Sequence, residues 1–243
     1  MTLNASKTSY VIFRSSRYPN EHLPNSLTYN NITIHRESHA TYLGVILDEY
    51  LNYNAHVDDL CDKLKRLFPV FYNIRNYLNI DHIRTIYFTM LYSRLKYGCI
   101  TYGLTSNENV SKIQIMQNKL LKILLKKPFR YSTNVLHNDL SLLKFEDIVY
   151  QEITAFAFDF LKGNLPCVFD DYYQHRFPLE NMQNEHSRFR LIIPSYRTTI
   201  GEHTVKVQGA KMFNAFTSNI NLNVRTKTFK NDIKKKILLY TTE

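Results

Sequence analysis

Tryptophan is absent from the 243 residues, and glycine (6), proline (7) and cysteine (3) are scarce. So little glycine and proline leaves no composition for a long flexible linker. Cys61, Cys99 and Cys167 form no Cys-x-x-Cys pair and no even disulfide framework. That usage suits a reducing, intracellular compartment, nucleus or cytoplasm. No run of about 18 apolar residues occurs, so no membrane span is expected. The start, MTLNASKTSYVIFRSSR, lacks the basic stretch and long apolar core of a secretory signal.

Chemical signatures are equally sparse. The cysteines are 38 and 68 positions apart, and His35 and His39 sit in a turn-and-strand context, so no zinc site is expected. There is no G-x-x-x-x-G-K-[ST] phosphate loop, no G-x-G-x-x-G and no G-x-S-x-G. A two-metal centre needs clustered carboxylates. Asp170-Asp171 follows Phe169 as in the aromatic-x-Asp-Asp turn of polymerase palms, but it lies in a proline-flanked loop with no strands around it. Asp58-Asp59 reads as a pair of helix acids favoured by the dipole. No complete active site emerges from the residues.

Acidic residues are outnumbered in two long blocks. Residues 1–55 carry 4 basic and 4 acidic side chains, 56–130 carry 13 and 5, 131–186 carry 3 and 9, and 187–243 carry 11 and 3. Two basic blocks therefore flank an acidic middle within a net charge of +10. Basic blocks of this kind attract polyanions by releasing counterions from phosphates.

What is present is hydrophobic (44%) and rich in Tyr (18) and Phe (15), enough for a real core. Residues 9–14 (SYVIFR) suit a buried strand, 27–36 (LTYNNITIHR) a hairpin around Asn30-Asn31, and 41–47 a third strand. Asn54 reads as the N-cap of a helix with Val57, Leu60, Leu64, Leu67 and Phe68 inward, and Pro69 predicts a kink. Asp81 reads as the cap of a second helix carrying Ile83, Ile86, Tyr87, Met90, Leu91 and Leu95, ended by Gly98. A connector follows over 98–108. A third helix, about 108–126, places Lys112, Lys119, Lys122 and Lys126 on one flank, either a solvated face or a rail for a phosphate backbone. Residues 131–143 read as irregular and 144–162 as a helix stopped by Gly163. Strands are expected at 188–193 and 203–208, then helices at 210–216 and 226–240. On the last of these Lys227, Lys230 and Lys234 line the outer side.

The fold expected is mainly α (α+β). A small antiparallel β unit spans 1–54, a helical bundle 55–163 (the part that the resemblance given next makes thumb-like), a linker 164–187 and a basic, small mixed region 188–243.

Several stretches carry a resemblance. LNASKTSYVIF (Leu3 to Phe13) resembles the LN-x-x-KT element that follows the catalytic Asp pair in reverse transcriptases of non-LTR (LINE-type, jockey-like) retrotransposons. ATYLGVILDEYLNYNAHVDDLCDKL (Ala40 to Leu64) is similar to their primer-grip hairpin and first thumb helix. IYFTMLYSRLKYGCITYG (Ile86 to Gly103) resembles a thumb segment, with Tyr102 where Trp is usual, and IQIMQNKLLKILL a following helix. IPSYRTTIGEHTVKVQGAKMFNAF is similar to the family's C-terminal region, with Ala210, Phe213 and Phe216 in place of its Pro, Trp and Leu.

The resemblance implies a piece of an RNA-directed DNA polymerase, a family that uses two Mg²⁺ ions. It implies Lys7 as proton donor to the leaving pyrophosphate. It implies Tyr42, Leu43 and Gly44 as primer grip, and helices that track a template–primer duplex of RNA, DNA or an RNA–DNA hybrid. Lys112, Lys119, Lys122, Lys126, Lys227, Lys230 and Lys234 are the expected contacts. The fingers and palm carboxylates would precede Leu3. This chain alone is therefore expected to bind no metal and to be inactive, its palm missing or supplied by another chain. The competing expectation is a non-enzymatic structural or protein-interaction remnant.

Overall fold

β-branched and aromatic residues at the start of the chain build a small sheet. The computed structural model describes residues 8–18, 23–174, 190–216 and 223–240. In it β1 is Ser9–Tyr10, β2 Ser26–Tyr29 and β3 Ile32–Arg36, in the order β1-β3-β2. β2 and β3 are antiparallel and turn through Asn30 and Asn31 at φ 48° and 62°, the left-handed pair that a two-residue hairpin requires. β1 runs parallel to β3 and is far shorter than the strand expected over 9–14. Beyond Tyr10 the chain leaves β3, and the Arg14 N–H donates to the Glu49 carbonyl at 2.9 Å. The strand expected over 41–47 is instead a second hairpin, β4 (His39–Tyr42) and β5 (Val45–Asp48), because Leu43 and Gly44 adopt φ 46° and 79° and reverse the chain.

Two adjacent acids organise the chain around the end of β5. Asp48 accepts the N–H groups of Tyr50 (3.0 Å), Asn52 (3.1 Å) and Tyr53 (2.7 Å). These bonds hold Leu51 and Tyr53 at φ 53° and 58°, which non-glycine residues rarely adopt. Glu49 accepts from Arg14 (3.1 Å) and Arg36 (2.7 Å), all three side chains at most 13% exposed. Burial pushes the Glu49 carboxyl up, but its hydrogen bonds with Arg14, Tyr50 and Arg36 outweigh this and hold it below the usual range. Helix α1 (Asn54–Lys65) then begins, so Asn54 is its first residue and not its cap: Val57 N–H bonds the Tyr53 carbonyl, and Asn52 accepts the Asn54 N–H. Asp58 and Asp59 fall beyond the first turn, and Asp59 pairs with Lys63 at 2.6 Å.

The chain divides into two compact units, Met1–Lys63 and Leu64–Glu243. Among its described residues the regular elements of the second are all helices, apart from a single bridge at Leu191. Pro69 falls in the first turn of α2 (Leu67–Ile74), where its missing N–H costs nothing, so the expected kink is a break between helices. Asn79, not Asp81, caps α3 (Ile80–Ile86), its side chain accepting the His82 N–H at 2.9 Å. A π-helical segment, Tyr87–Tyr92, continues into α4 (Ser93–Lys96). Ile83, Tyr87, Leu91, Leu95 and Cys99 are buried at strict four-residue spacing. The wider π turn keeps that row on one face, where an unbroken α-helix would drift. After Gly98 the expected connector holds a short helix, α5 (Cys99–Tyr102). α6 is Asn107–Leu124 and α7 Thr133–Asp139, the latter lying in the stretch expected to be irregular and burying Leu136 and His137.

α8 (Phe145–Leu161) is the hub. It buries ten side chains and packs against α4, α5 and α6. A Cβ on Gly103 would collide with the Cys99 carbonyl and Val149, so only glycine allows this approach of α5 to α8. After a short α9 (Thr199–Glu202), α10 (Val205–Phe216) and α11 (Thr226–Tyr240) also lie on α8. Phe158 stacks on Phe229 at 4.0 Å, with Phe213, Ile233 and Leu191 buried around them. Each such side chain contributes about 2–3 kcal/mol of transfer free energy. The strand expected over 203–208 is the start of α10: its alternating valines read as β, yet Val207 is buried as a helical residue. Of the strand expected over 188–193, the described residues make one bridge at Leu191. The Asn214 side chain also bonds both backbone groups of Leu191 (2.9 and 2.8 Å).

His137 Nε2 lies 2.8 Å from Asn118 Oδ1, and Nδ1 has no hydrogen-bond partner. Burial lowers its pKa from 6.5 to about 4. The unfolded chain therefore binds the extra proton first. Stability is full above pH 6.5 and falls by about 3 kcal/mol as pH drops toward 4. Urea unfolding of His137→Gln, compared with the parent at pH 7 and pH 4.5, is expected to show a shallower pH dependence. Asp48→Ala is expected to cost about 3 kcal/mol through three lost charge-assisted bonds, with faster amide exchange at Tyr50 and Tyr53. Asp48→Asn, which keeps an acceptor oxygen, is expected to lose less.

Candidate nucleic-acid interface

The β4–β5 hairpin presents its tip outward. Tyr42 is 67% and Leu43 72% exposed, and the turn that carries them is held by the left-handed Leu43–Gly44 pair. An exposed ring beside a glycine, where backbone can approach closely, suits stacking on a base. Lys7 lies outside the described residues.

The lysines of α6 separate into two kinds. Lys112 pairs with Glu108 at 3.3 Å. Lys122 donates to the Phe129 carbonyl at 2.5 Å and sits 5.5 Å from its ring. Lys119 and Lys126 are exposed, and no carboxylate lies within 4 Å of either among the described residues. Lys126 stands past the helix end at φ 54°, so the four do not form one straight row. Lys127 adds a cation 4.7 Å from the Tyr131 ring.

α11 departs further from expectation. Lys227 is exposed, but Lys230 and Lys234 are half-buried on its inner flank. Lys230 donates to Glu152 at 2.7 Å, and Lys96 approaches the other carboxylate oxygen at 3.2 Å. Lys234 lies 5.7 Å from the Phe88 ring. Desolvation, with Arg84 nearby, lowers its pKa below the ordinary lysine value. Tyr87, Phe88 and Tyr92 cluster at 5.1–6.1 Å beneath these cations, brought together by the π-helical segment. Burial and the Glu152 carboxylate push the Tyr92 hydroxyl up to about 12, so it stays a neutral donor. Lys96, Glu152 and Tyr92 were not among the sequence candidates. The available signal was the polar pair Gln151-Glu152 between apolar residues in the middle of the helix.

The described carboxylates are dispersed. Asp170 and Asp171 are exposed after a 3₁₀ turn (Cys167–Phe169), and Phe169 packs on Phe156 and Tyr172 at 5.3 and 5.5 Å. Among the described residues no group of three or more His, Cys, Asp or Glu is placed to hold a metal ion. No described helix is long and apolar enough to cross a membrane.

No protein-family model and no solved structure matches the chain. Sequence relatives do exist. The probable RNA-directed DNA polymerase from transposon X-element of Drosophila melanogaster is 29% identical over 143 residues, 58% of this chain and 15% of that protein. The RNA-directed DNA polymerase from mobile element jockey of Drosophila funebris is 27% identical over 150 residues, 60% of this chain and 16% of that protein. That from transposon BS of Drosophila melanogaster is 22% identical over 129 residues, 52% and 14%. The matched region thus spans about one seventh of each relative. Through these matches the chain is a relative, in sequence, of the RNA-directed DNA polymerases of jockey-type and X-element non-LTR retrotransposons.

Proposed function

We propose that this chain is the palm edge, thumb and C-terminal region of a non-LTR retrotransposon reverse transcriptase, and that its own task is to hold nucleic acid. The observation that carries this reading is the similarity to mobile-element polymerases over more than half of the chain. Each unit supplies a physical means of its own, the exposed tip at Tyr42–Gly44 in the first and the uncommitted charges of Lys119 and Lys126 in the second. The Tyr42 ring stacks on a terminal base, Gly44 lets backbone approach the sugar-phosphate chain, and the α6 lysines neutralise phosphates. The reading leaves metal-binding carboxylates to the rest of the polymerase. Lys7 keeps its proposed role as proton donor by resemblance alone.

A second reading draws on the apolar surface of the first unit, where Phe13, Leu27, Tyr29, Tyr42 and Leu43 are 47–72% exposed. Such a surface also suits protein contact with no nucleic-acid role.

The two readings part in a binding assay. An RNA–DNA hybrid is expected to lose about 100-fold in affinity between 50 and 200 mM salt, the loss for about four phosphate contacts. Lys119→Gln with Lys126→Gln is expected to reduce the salt slope by about 2. Tyr42→Ala is expected to weaken binding about tenfold at every salt concentration, as lost stacking should. Salt-insensitive affinity, or none, would sink the nucleic-acid reading in favour of protein contact.

A further inference from the structure

A cavity of about 240 Å³ opens between the π-helical segment, α8 and α11. Four lysines line it, Lys96, Lys227, Lys230 and Lys234, against one acid, Glu152. Glu152 is already engaged by Lys96 and Lys230. Lys227 and Lys234 meet no carboxylate within 4 Å among the described residues. Lys234 is also half-buried, with the Arg84 guanidinium as its charged neighbour. Placing a cation beside another cation and partly out of water costs free energy, which the Phe88 ring offsets only in part and an anion would complete. The floor is rigid: Tyr87, in the π-helical segment, is fully buried and its hydroxyl accepts from Gln117 at 2.9 Å. π-helical segments inside helices are frequent at functional sites.

We propose that this cavity binds a phosphate group, its oxygens held by the Lys227 and Lys234 ammoniums, with the Lys96–Glu152–Lys230 bridge fixing the wall behind them. Lysine suits this role as a point charge able to turn three donors toward tetrahedral oxygens. Arg84 does not line the cavity, and its Nη1 donates to the Leu140 carbonyl. The volume admits a phosphate or pyrophosphate, and the mouth beside exposed Lys227 also admits the phosphate of a strand. The site does not depend on the nucleic-acid reading, since it can be titrated with no nucleic acid present.

The test titrates inorganic pyrophosphate into the full chain by calorimetry at low salt. One saturable site is expected. Lys227→Gln with Lys234→Gln should weaken it at least tenfold, while Lys119→Gln with Lys126→Gln leaves it unchanged. Lys227→Arg with Lys234→Arg should retain binding, and melting temperatures check that each variant folds. No saturable binding by the parent, or equal loss in both glutamine pairs, overturns the proposal. A second arm identifies the source of the phosphate. If pyrophosphate displaces a short single-stranded oligonucleotide, and the Lys227/Lys234 glutamine pair also weakens that strand, the phosphate is the strand's. If the strand is indifferent to both, the ligand is the free anion. Loss of hybrid binding in the α6 variants with intact pyrophosphate binding separates this site from the interface proposed above.

Discussion

Much of the helical unit depends on one buried acid. Glu152 lies on α8, the helix that the other long helices cover, and its side chain is only 9% exposed. An ionised carboxylate there is tolerable only with cations on its oxygens. Lys96 comes from one side and Lys230, 78 residues further along the chain, from the other. Gln151, the preceding residue, donates to the Lys230 carbonyl at 2.7 Å and fastens the same turn of α11. The aromatic cluster around Phe158 and Phe229 supplies the larger share of the packing energy, but it is non-directional. The polar contacts set where along α8 the last helix sits, and so which of its lysines face the cavity.

The first unit uses acids differently. Asp48 spends its lone pairs on backbone N–H groups, and Glu49 spends its own on two guanidiniums. Neighbouring residues thus fix the turn after β5 and the path after β1. The result is a hairpin whose tip needs no support from its own side chains, which leaves Tyr42 outward. A residue held out by a rigid base, at little ordering cost to the backbone, suits contact with a flat partner such as a base.

The lysines show why net charge is a blunt guide. Several lysines in the basic blocks are tied to structure: Lys112 to Glu108, Lys122 to a carbonyl, Lys96 and Lys230 to Glu152. The functional proposals rest on lysines without such ties, Lys119 and Lys126 for one and Lys227 and Lys234 for the other. The distinction lies in the partners and cannot be counted from composition.

Helix existence was legible in the sequence because apolar residues repeat at the helical period. The last helix starts at Thr226 and ends at Tyr240 as its periodicity implies, and Asn30-Asn31 marked its hairpin because those residues tolerate left-handed backbone. The ordered set of short motifs pointed to the mobile-element polymerases, which the sequence relatives bear out. Short elements were not legible. Valines at alternate positions in 205–207 read as strand, and contact with α8 made them helix. Only the tertiary structure decided that Lys230 and Lys234 turn inward. Periodicity assigns a face from the residues of one helix, whereas the side on which a lysine at the edge of that face settles is set by a carboxylate and a ring on distant elements.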